Sequence, residues 1–156
     1  MQTEVFLALG ANLGDPKTQI ISAIEMLRKV LTDLRVAALY QSKPIGPADQ
    51  PDYLNTAVTG WTRLSPEALL DQCQAIEHAH QRERNERWGP RTLDIDILFF
   101  GDQQIQNERL TIPHPELFNR AFVVVPLLDL IPSATTPTGD HIDRRRYDLS
   151  SLTRIH

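Results

Sequence analysis

Cysteine is nearly missing from this chain: Cys73 stands alone among 156 residues. A single thiol excludes an internal disulfide and a cysteine-rich zinc site, and it fits a reducing compartment. It falls in helical phase with Leu69 and Ile76, so core packing is its expected role. A surplus of positive charge is missing too. Lys and Arg total 16 against 20 Asp and Glu, a net charge of −4, which opposes a nucleic-acid binder working through a general basic surface. No run approaches the roughly 18–20 apolar residues of a membrane span. The N-terminus enters a strand pattern without the basic-then-apolar layout of a leader, so cytoplasm is the expected location. Repeats and low-complexity tracts are absent. The length suits one domain, 1–156, with a weakly patterned tail over 132–156.

What the chain does have is concentrated between Arg87 and Gly101. The run Arg87-Trp88-Gly89-Pro90-Arg91-Thr92-Leu93-Asp94-Ile95-Asp96-Ile97-Leu98-Phe99-Phe100-Gly101 sets two carboxylates behind an arginine-rich turn. In a strand, Asp94 and Asp96 point to one face, roughly 6.6 Å apart. The odd positions Leu93, Ile95, Ile97 and Phe99 form an apolar face, while the even face starts acidic and continues as Leu98 and Phe100. Two unit charges about 7 Å apart repel by about 2.4 kcal/mol at an effective dielectric of about 20, which calls for water, arginine or a cation. Asp-x-Asp at the mouth of a site suits Mg²⁺, which takes one or two carboxylates and completes its octahedron with water and phosphate oxygens. The ordinary alternative is a solvated strand end paired with Arg87 or Arg91, worth only about 0–1 kcal/mol.

The elements fall in a readable order. Thr3 to Leu9 predicts a strand, and Gly10, Asn12 and Gly14 a turn. Asp15-Pro16 opens a helix as N-cap and first-turn proline, with Ile20, Ile24, Leu27 and Leu31 as its stripe and Ile21 widening it. Arg35 to Gln41 predicts a second strand, Ser42 to Pro51 a proline-stiffened loop and Tyr53 to Thr62 a third strand. Ser65-Pro66-Glu67 opens a second helix with a stripe of Leu69, Cys73, Ile76 and His80, and the Asp94/Asp96 strand follows. This β-α-β-β-α-β order predicts an α+β, ferredoxin-like core: a mainly antiparallel sheet with helices on one face. Gly101 suggests a hairpin into a short strand near Ile105. Ala121 to Leu130 predicts a C-terminal helical extension, and Arg144 to Leu152 a short last helix.

Several residues around this frame suit chemistry. Arg82, Arg84, Arg87 and Arg91 lie close together, interleaved with Glu83 and Glu86. They form either a charge-balanced connection or a set of guanidinium groups for phosphate beside a Mg²⁺ site. The stiff loop with Tyr53 and Asn55 is either a rigid connection or a slot for a flat heterocycle. In the slot, Asn55 reads ring edges while Tyr53, Phe122 or Trp88 covers the faces. Gly10-x-Asn12-x-Gly14 lacks the Gly-Lys-Ser/Thr ending of a Walker A loop. His78 and His80 face different ways on a helix, so they make no metal pair. His114, between Pro113 and Pro115, is the better ligand contact. Three rival readings stand beside a site for a flat heterocycle and a phosphate: another Asp-x-Asp transferase, a nucleic-acid module on a ferredoxin-like sheet, and a domain without activity.

With these residues in order, the chain resembles the 6-hydroxymethyl-7,8-dihydropterin pyrophosphokinases. The family run Arg-Trp-Gly-Pro-Arg-x-x-Asp-Ile/Leu-Asp-Ile spans Arg87 to Ile97 here. Gly46-Pro47, Asp49 to Asn55, Glu108 to Thr111, Pro113-His114, Arg120-x-Phe122 and Pro126-Leu127 extend the match. The resemblance implies transfer of pyrophosphate from ATP to the pterin hydroxymethyl group in folate biosynthesis, with release of AMP. It implies two Mg²⁺ ions on Asp94 and Asp96, with Arg82 and Arg91 closing over the nucleotide as catalytic arginines. Gln74, Glu77, Arg84, Arg109, Thr111 and His114 fall on its nucleotide side. Ser42, Pro44, Ile45, Tyr53, Asn55, Trp88 and Phe122 fall on its pterin side. A soluble monomer acting on small molecules, without nucleic acid or membrane, is expected. The linker from Arg84 to Trp88 is one residue shorter than a common family form, and Pro115 replaces an aromatic of some members.

Overall fold

The structure, a computed structural model, describes residues 1–12, 14–42, 52–81, 93–131, 133–150 and 152–155. They form β1 (Thr3–Ala11), α1 (Pro16–Leu27), β2 (Thr32–Val36), β3 (Leu39–Ser42), β4 (Tyr53–Thr62), α2 (Pro66–Gln81), β5 (Asp94–Phe100), β6 (Ile105–Gln106), β7 (Thr111–Ile112), α3 (Ala121–Leu130) and β8 (Leu152–Ile155). The main sheet runs β5-β1-β4-β3-β8, with β2 beside the other half of β4. Every pairing in it is antiparallel. This is the expected α+β core.

Both long helices start where side chains satisfy their first backbone donors. The Asp15 carboxylate accepts from the Thr18 N–H at 3.3 Å and from the Thr18 hydroxyl at 2.8 Å. Those bonds, with Lys17 nearby, hold the Asp15 carboxyl below the usual aspartate range. Ser65 Oγ accepts from the Ala68 N–H at 3.2 Å. Helix α1 buries Ile20, Ala23, Ile24 and Leu27. Ile21 does not widen that stripe; it is 49% exposed. The helix ends at Leu27, and Leu31 reaches the core from the turn beyond, through the Leu31 N–H bond to the Leu27 carbonyl. A Cβ on Gly60 would lie 2.9 Å from Leu31 Cβ, so glycine lets that turn settle on β4. His80 sits half-buried between the helices, 2.7 Å from the Ile76 carbonyl and 3.0 Å from Ser22 Oγ.

The sheet is apolar on both faces, so both are covered. Val5, Leu7 and Leu9 of β1 join Val58, Ile95 and Ile97 beneath α1 and α2. Phe6 and Ala8 join Ala57, Leu98 and Phe99 beneath α3 and the tail residue Ile142. Helices on one face alone, the sequence-based expectation, would leave this second layer in water. The alternation of β5 also shifts part-way. Leu7 pairs with Ile97 but Phe6 with Phe99, so Leu98 is the extra residue of a β-bulge. Phe99 therefore packs against Phe6 on the α3 face, ring centroids 6.1 Å apart, and Phe100 takes the other face.

Two further elements differ from expectation. The strand expected over Arg35–Gln41 is broken between β2 and β3. The Thr56 hydroxyl donates to the Ala37 and Ala38 carbonyls, both at 3.1 Å, and Asp129 accepts from the Ala38 N–H at 3.2 Å. Long-range side chains thus take up the Ala37 and Ala38 carbonyls and the Ala38 N–H, while the Ala37 N–H still donates to the Ala57 carbonyl at 2.9 Å. The expected last helix over Arg144–Leu152 reduces to a single 3-10 turn, Arg144–Arg146, followed by β8. That segment lacks an apolar helical stripe, while the outer edge of β3 offers unpaired backbone that β8 completes. Ile105 lies in a short strand as expected, paired with β7 in a separate two-stranded ladder.

Candidate active site

The α3 face is not fully packed. At the end where β1 and β3 finish and β4 and β5 begin, a cavity of about 280 Å³ opens, near the lower end for small-ligand sites. Ala8, Leu9 and Gly10 floor it. Ser42, Tyr53 and Asn55 form one wall, Asp94 and Asp96 another, and Arg120, Phe122 and Val123 at the start of α3 a third. Gly10 pairs with Asn55 on one side and Asp94 on the other. It therefore belongs to β1 and not to the turn expected of it; Gly14, at φ 68°, is the residue there with a left-handed backbone. A Cβ on Gly10 would lie 3.1 Å from Asn55 Oδ1, so the missing side chain keeps the floor open.

The polar wall is held in place from behind. Asn55 is 5% exposed, and its Nδ2 donates to Ser42 Oγ at 2.9 Å. A buried amide fixed in this way presents its edge without reorganising. Tyr53 is half-buried, and loss of water followed by the charge of Asp94 raises its phenol pKa. The hydroxyl therefore stays a donor at neutral pH. Across the cavity, the Arg120 guanidinium lies 5.9 Å from the Phe122 ring centroid, a cation–π distance.

The two carboxylates share the α3 face, as the period of a strand requires, and both are partly exposed. Asp96 is approached by His114, with Nε2 3.9 Å from Oδ1. The Glu116 N–H donates to His114 Nδ1 at 3.2 Å, so the proton of the neutral ring sits on Nε2 and faces Asp96. Between the two acids, the Ile95 N–H on the outer edge of β5 donates to Glu77 Oε2 at 2.9 Å. This bond ties α2 to the acidic strand. Beside it, Arg109 bonds Asp71 Oδ1 at 2.6 Å and Gln74 Oε1 at 3.4 Å, joining the β6–β7 ladder to α2. Cys73 takes no part: burial, with Glu77 and Asp96 nearby, pushes its thiol up to about 12.

Two groups of expected site residues are thus brought together. Ser42, Tyr53, Asn55, Phe122, Asp94 and Asp96 line one cavity. Gln74, Glu77, Arg109 and His114 gather along the outer side of β5, with Thr111 exposed on β7. The expectations for Pro44, Ile45, Arg82, Arg84, Trp88 and Arg91 lie outside the described residues. Sequence reasoning put Gly10 in a turn and not in the cavity, and it gave no site role to Asp71 or Arg120. Only Arg120 carried a local signal, as a lone cation immediately before the apolar run of α3.

Comparison with known proteins shows the family and the fold. A family model described as 7,8-dihydro-6-hydroxymethylpterin-pyrophosphokinase matches residues 6–132. A Haemophilus influenzae protein named 2-amino-4-hydroxy-6-hydroxymethyldihydropteridine pyrophosphokinase is 45% identical over 139 residues, covering 88% of this chain and 87% of that protein. Its Pseudomonas aeruginosa namesake is 46% identical over 145 residues, covering 91% and 89%. In fold, the chain is similar to a solved HPPK-DHPS in complex with substrates. The TM-score is 0.67 at 15% identity, covering 90% of this chain and 42% of that one.

Proposed function

This chain belongs to the 7,8-dihydro-6-hydroxymethylpterin-pyrophosphokinase family, and on that premise we propose how its residues divide the transfer of pyrophosphate from ATP to the hydroxymethyl group of 6-hydroxymethyl-7,8-dihydropterin. The reaction belongs to folate biosynthesis. The pterin hydroxyl oxygen bonds to the β-phosphorus of ATP, the bond from that phosphorus to the α–β bridging oxygen breaks, and AMP leaves. The observation that carries this reading is the pair Asp94 and Asp96 opening onto the same cavity as Tyr53, Asn55 and Phe122.

The pterin ring lies in that cavity, its faces against Tyr53 and Phe122 and its edge read by the Asn55 amide, with Ser42 fixing the amide's orientation. The nucleotide lies along the outer side of β5, near Gln74, Glu77, Arg109, Thr111 and His114. Asp94 and Asp96 hold two Mg²⁺ ions. Among the described residues no three His, Cys, Asp or Glu side chains form a closed cage. Two half-exposed carboxylates on one face instead suit an ion that completes its shell with water and phosphate oxygens. When bound, Mg²⁺ supplies neutralisation of the triphosphate charge and polarisation of the attacking hydroxyl. Asp96, or coordination of the hydroxyl to the ion, removes the need for a separate base, the proton passing to Asp96 or to water. His114 Nε2 lies 3.9 Å from Asp96 Oδ1, beyond hydrogen-bond length. Arg82 and Arg91 cover the nucleotide and offset charge developing on the phosphates, and Arg84 binds on the nucleotide side. Pro44, Ile45 and Trp88 complete the pterin side. Trp88 and Arg91 lie in the family run from Arg87 to Ile97, and all six residues fall within the stretch that the family model matches.

Residues 1–156 act as one catalytic unit, a reading supported by β8 completing the same sheet as β1. It works as a cytoplasmic monomer, and no helix among the described residues is long and apolar enough to cross a membrane. Phosphorus-31 NMR with Mg·ATP and the pterin alcohol tests the reaction. AMP and a pterin diphosphate are expected; ADP would mean transfer of the γ-phosphoryl group and overturn the assignment.

A further inference from the structure

The wall of the cavity that carries Phe122 belongs to α3, and α3 is pinned to the sheet at its far end. Asp129, exposed in the last turn of α3, accepts from the Tyr40 hydroxyl at 2.9 Å through Oδ2 and 3.2 Å through Oδ1. The same Oδ2 accepts from the Ala38 N–H at 3.2 Å. Asp129 stands seven residues after Phe122, which is two helical turns, so both project from nearly the same side of α3. Pro126, between them, has no N–H for the Phe122 carbonyl. The first turn of α3 therefore has fewer internal bonds, and its placement depends more on what anchors the helix to the sheet.

The sheet end of the anchor lies equally close to the site. Tyr40 is 6% exposed and pairs directly across β3–β4 with Asn55. Two residues on, Ser42 pairs with Tyr53 and holds the Asn55 amide. One strand thus carries both the anchor and the residue that orients the amide, while one helix carries both the acceptor and the opposing ring.

We propose that Tyr40 and Asp129 are positioning residues for the pterin slot, fixing the separation between Phe122 on α3 and the Tyr53–Asn55 wall on β4. They touch no substrate. The proposal rests on the pterin occupying this cavity, as set out under Proposed function. Burial, followed by the bond to Asp129, raises the Tyr40 phenol pKa, so the group stays a donor throughout the working range.

The effect should fall on the heterocycle and not on the nucleotide. Tyr40→Phe removes one oxygen and leaves the buried ring. It should weaken equilibrium binding of the pterin alcohol, and raise its KM, about fivefold or more, the scale of a partly exposed bond to a carboxylate. Binding of Mg·ATP and kcat should stay within about twofold. Asp129→Ala should show the same split. Asp129→Asn, whose amide oxygen still accepts from Tyr40, should recover part of the affinity. An unchanged pterin affinity in Tyr40→Phe, or equal weakening of both substrates, overturns the proposal. Should Tyr40→Phe not fold, the Asp129→Ala and Asp129→Asn pair decides by the same criteria. Failure of the unaltered protein to form AMP overturns the pterin reading, and the proposal with it. An active protein whose variants bind pterin normally overturns the proposal alone.

Discussion

The two faces of the sheet are covered differently. Under α1 and α2, Val5, Leu7, Leu9, Val58, Ile95 and Ile97 meet Ile20, Ile24, Leu27, Leu69, Cys73 and Ile76 in a continuous apolar layer. Under α3 the layer is continuous only at one end, from Phe6 and Phe99 to Leu127 and Leu130. At the other end Gly10, Asn55, Asp94 and Asp96 replace apolar side chains, and the cavity opens. The same strands supply both faces, by the two-residue period of a strand. Stability can therefore be concentrated on one side while the other holds buried polar groups and adjacent carboxylates that a packed core would not tolerate.

That division can be broken from either side. The largest effect is expected from Asp96→Ala, which should reduce AMP formation by about a thousandfold or more while circular dichroism stays unchanged, because the role proposed for the residue is chemical and its side chain is partly exposed. Leu7→Ala, on the opposite face of the neighbouring strand, should cost about 3 kcal/mol in denaturant unfolding and leave pterin affinity in the cold within about twofold. A proportionate loss of binding there would show that the faces are not separable. Gly10→Ala sharpens the comparison within the site. The added methyl presses on Asn55 Oδ1, so pterin affinity should fall about three- to tenfold, with Mg·ATP binding unchanged by titration calorimetry.

The smallest effect lies at the start of α1. Bonds from Thr18 lower the folded-state pKa of Asp15 below its ordinary value. Its contribution is therefore fully present above the ordinary aspartate range and is lost as pH falls through the lowered folded value. Asp15→Asn should flatten the acid side of the stability profile slightly and leave turnover unaltered.

How much of this was legible in sequence depended on the range over which each feature is determined. The caps at Asp15 and Ser65, the buried Ile20, Ile24 and Leu27 of α1 and Leu69, Cys73 and Ile76 of α2, and the shared face of Asp94 and Asp96 are local, and they stand where expected. Ile21 and Leu31 do not, because α1 stops at Leu27 and turns Ile21 to solvent. The bulge at Leu98 was hidden because every residue from Ile97 to Phe100 is apolar, so either phase buries them equally. The break between β2 and β3 is set by Thr56 and Asp129, far away in sequence. Strand β8 carries only Leu152 and Ile155 as apolar marks, and its partner, the edge of β3, exists only in the folded sheet. Gly10 looked like a turn glycine because its role depends on the side chain of Asn55 across the ladder.

The most direct test of the division of faces is a crystal structure with a non-hydrolysable ATP analogue, Mg²⁺ and the pterin alcohol. It should place the heterocycle between Tyr53 and Phe122 and the metal ions against Asp94 and Asp96, leaving the α1–α2 face unchanged. A heterocycle bound elsewhere, or both carboxylates turned away from the phosphates, would contradict it.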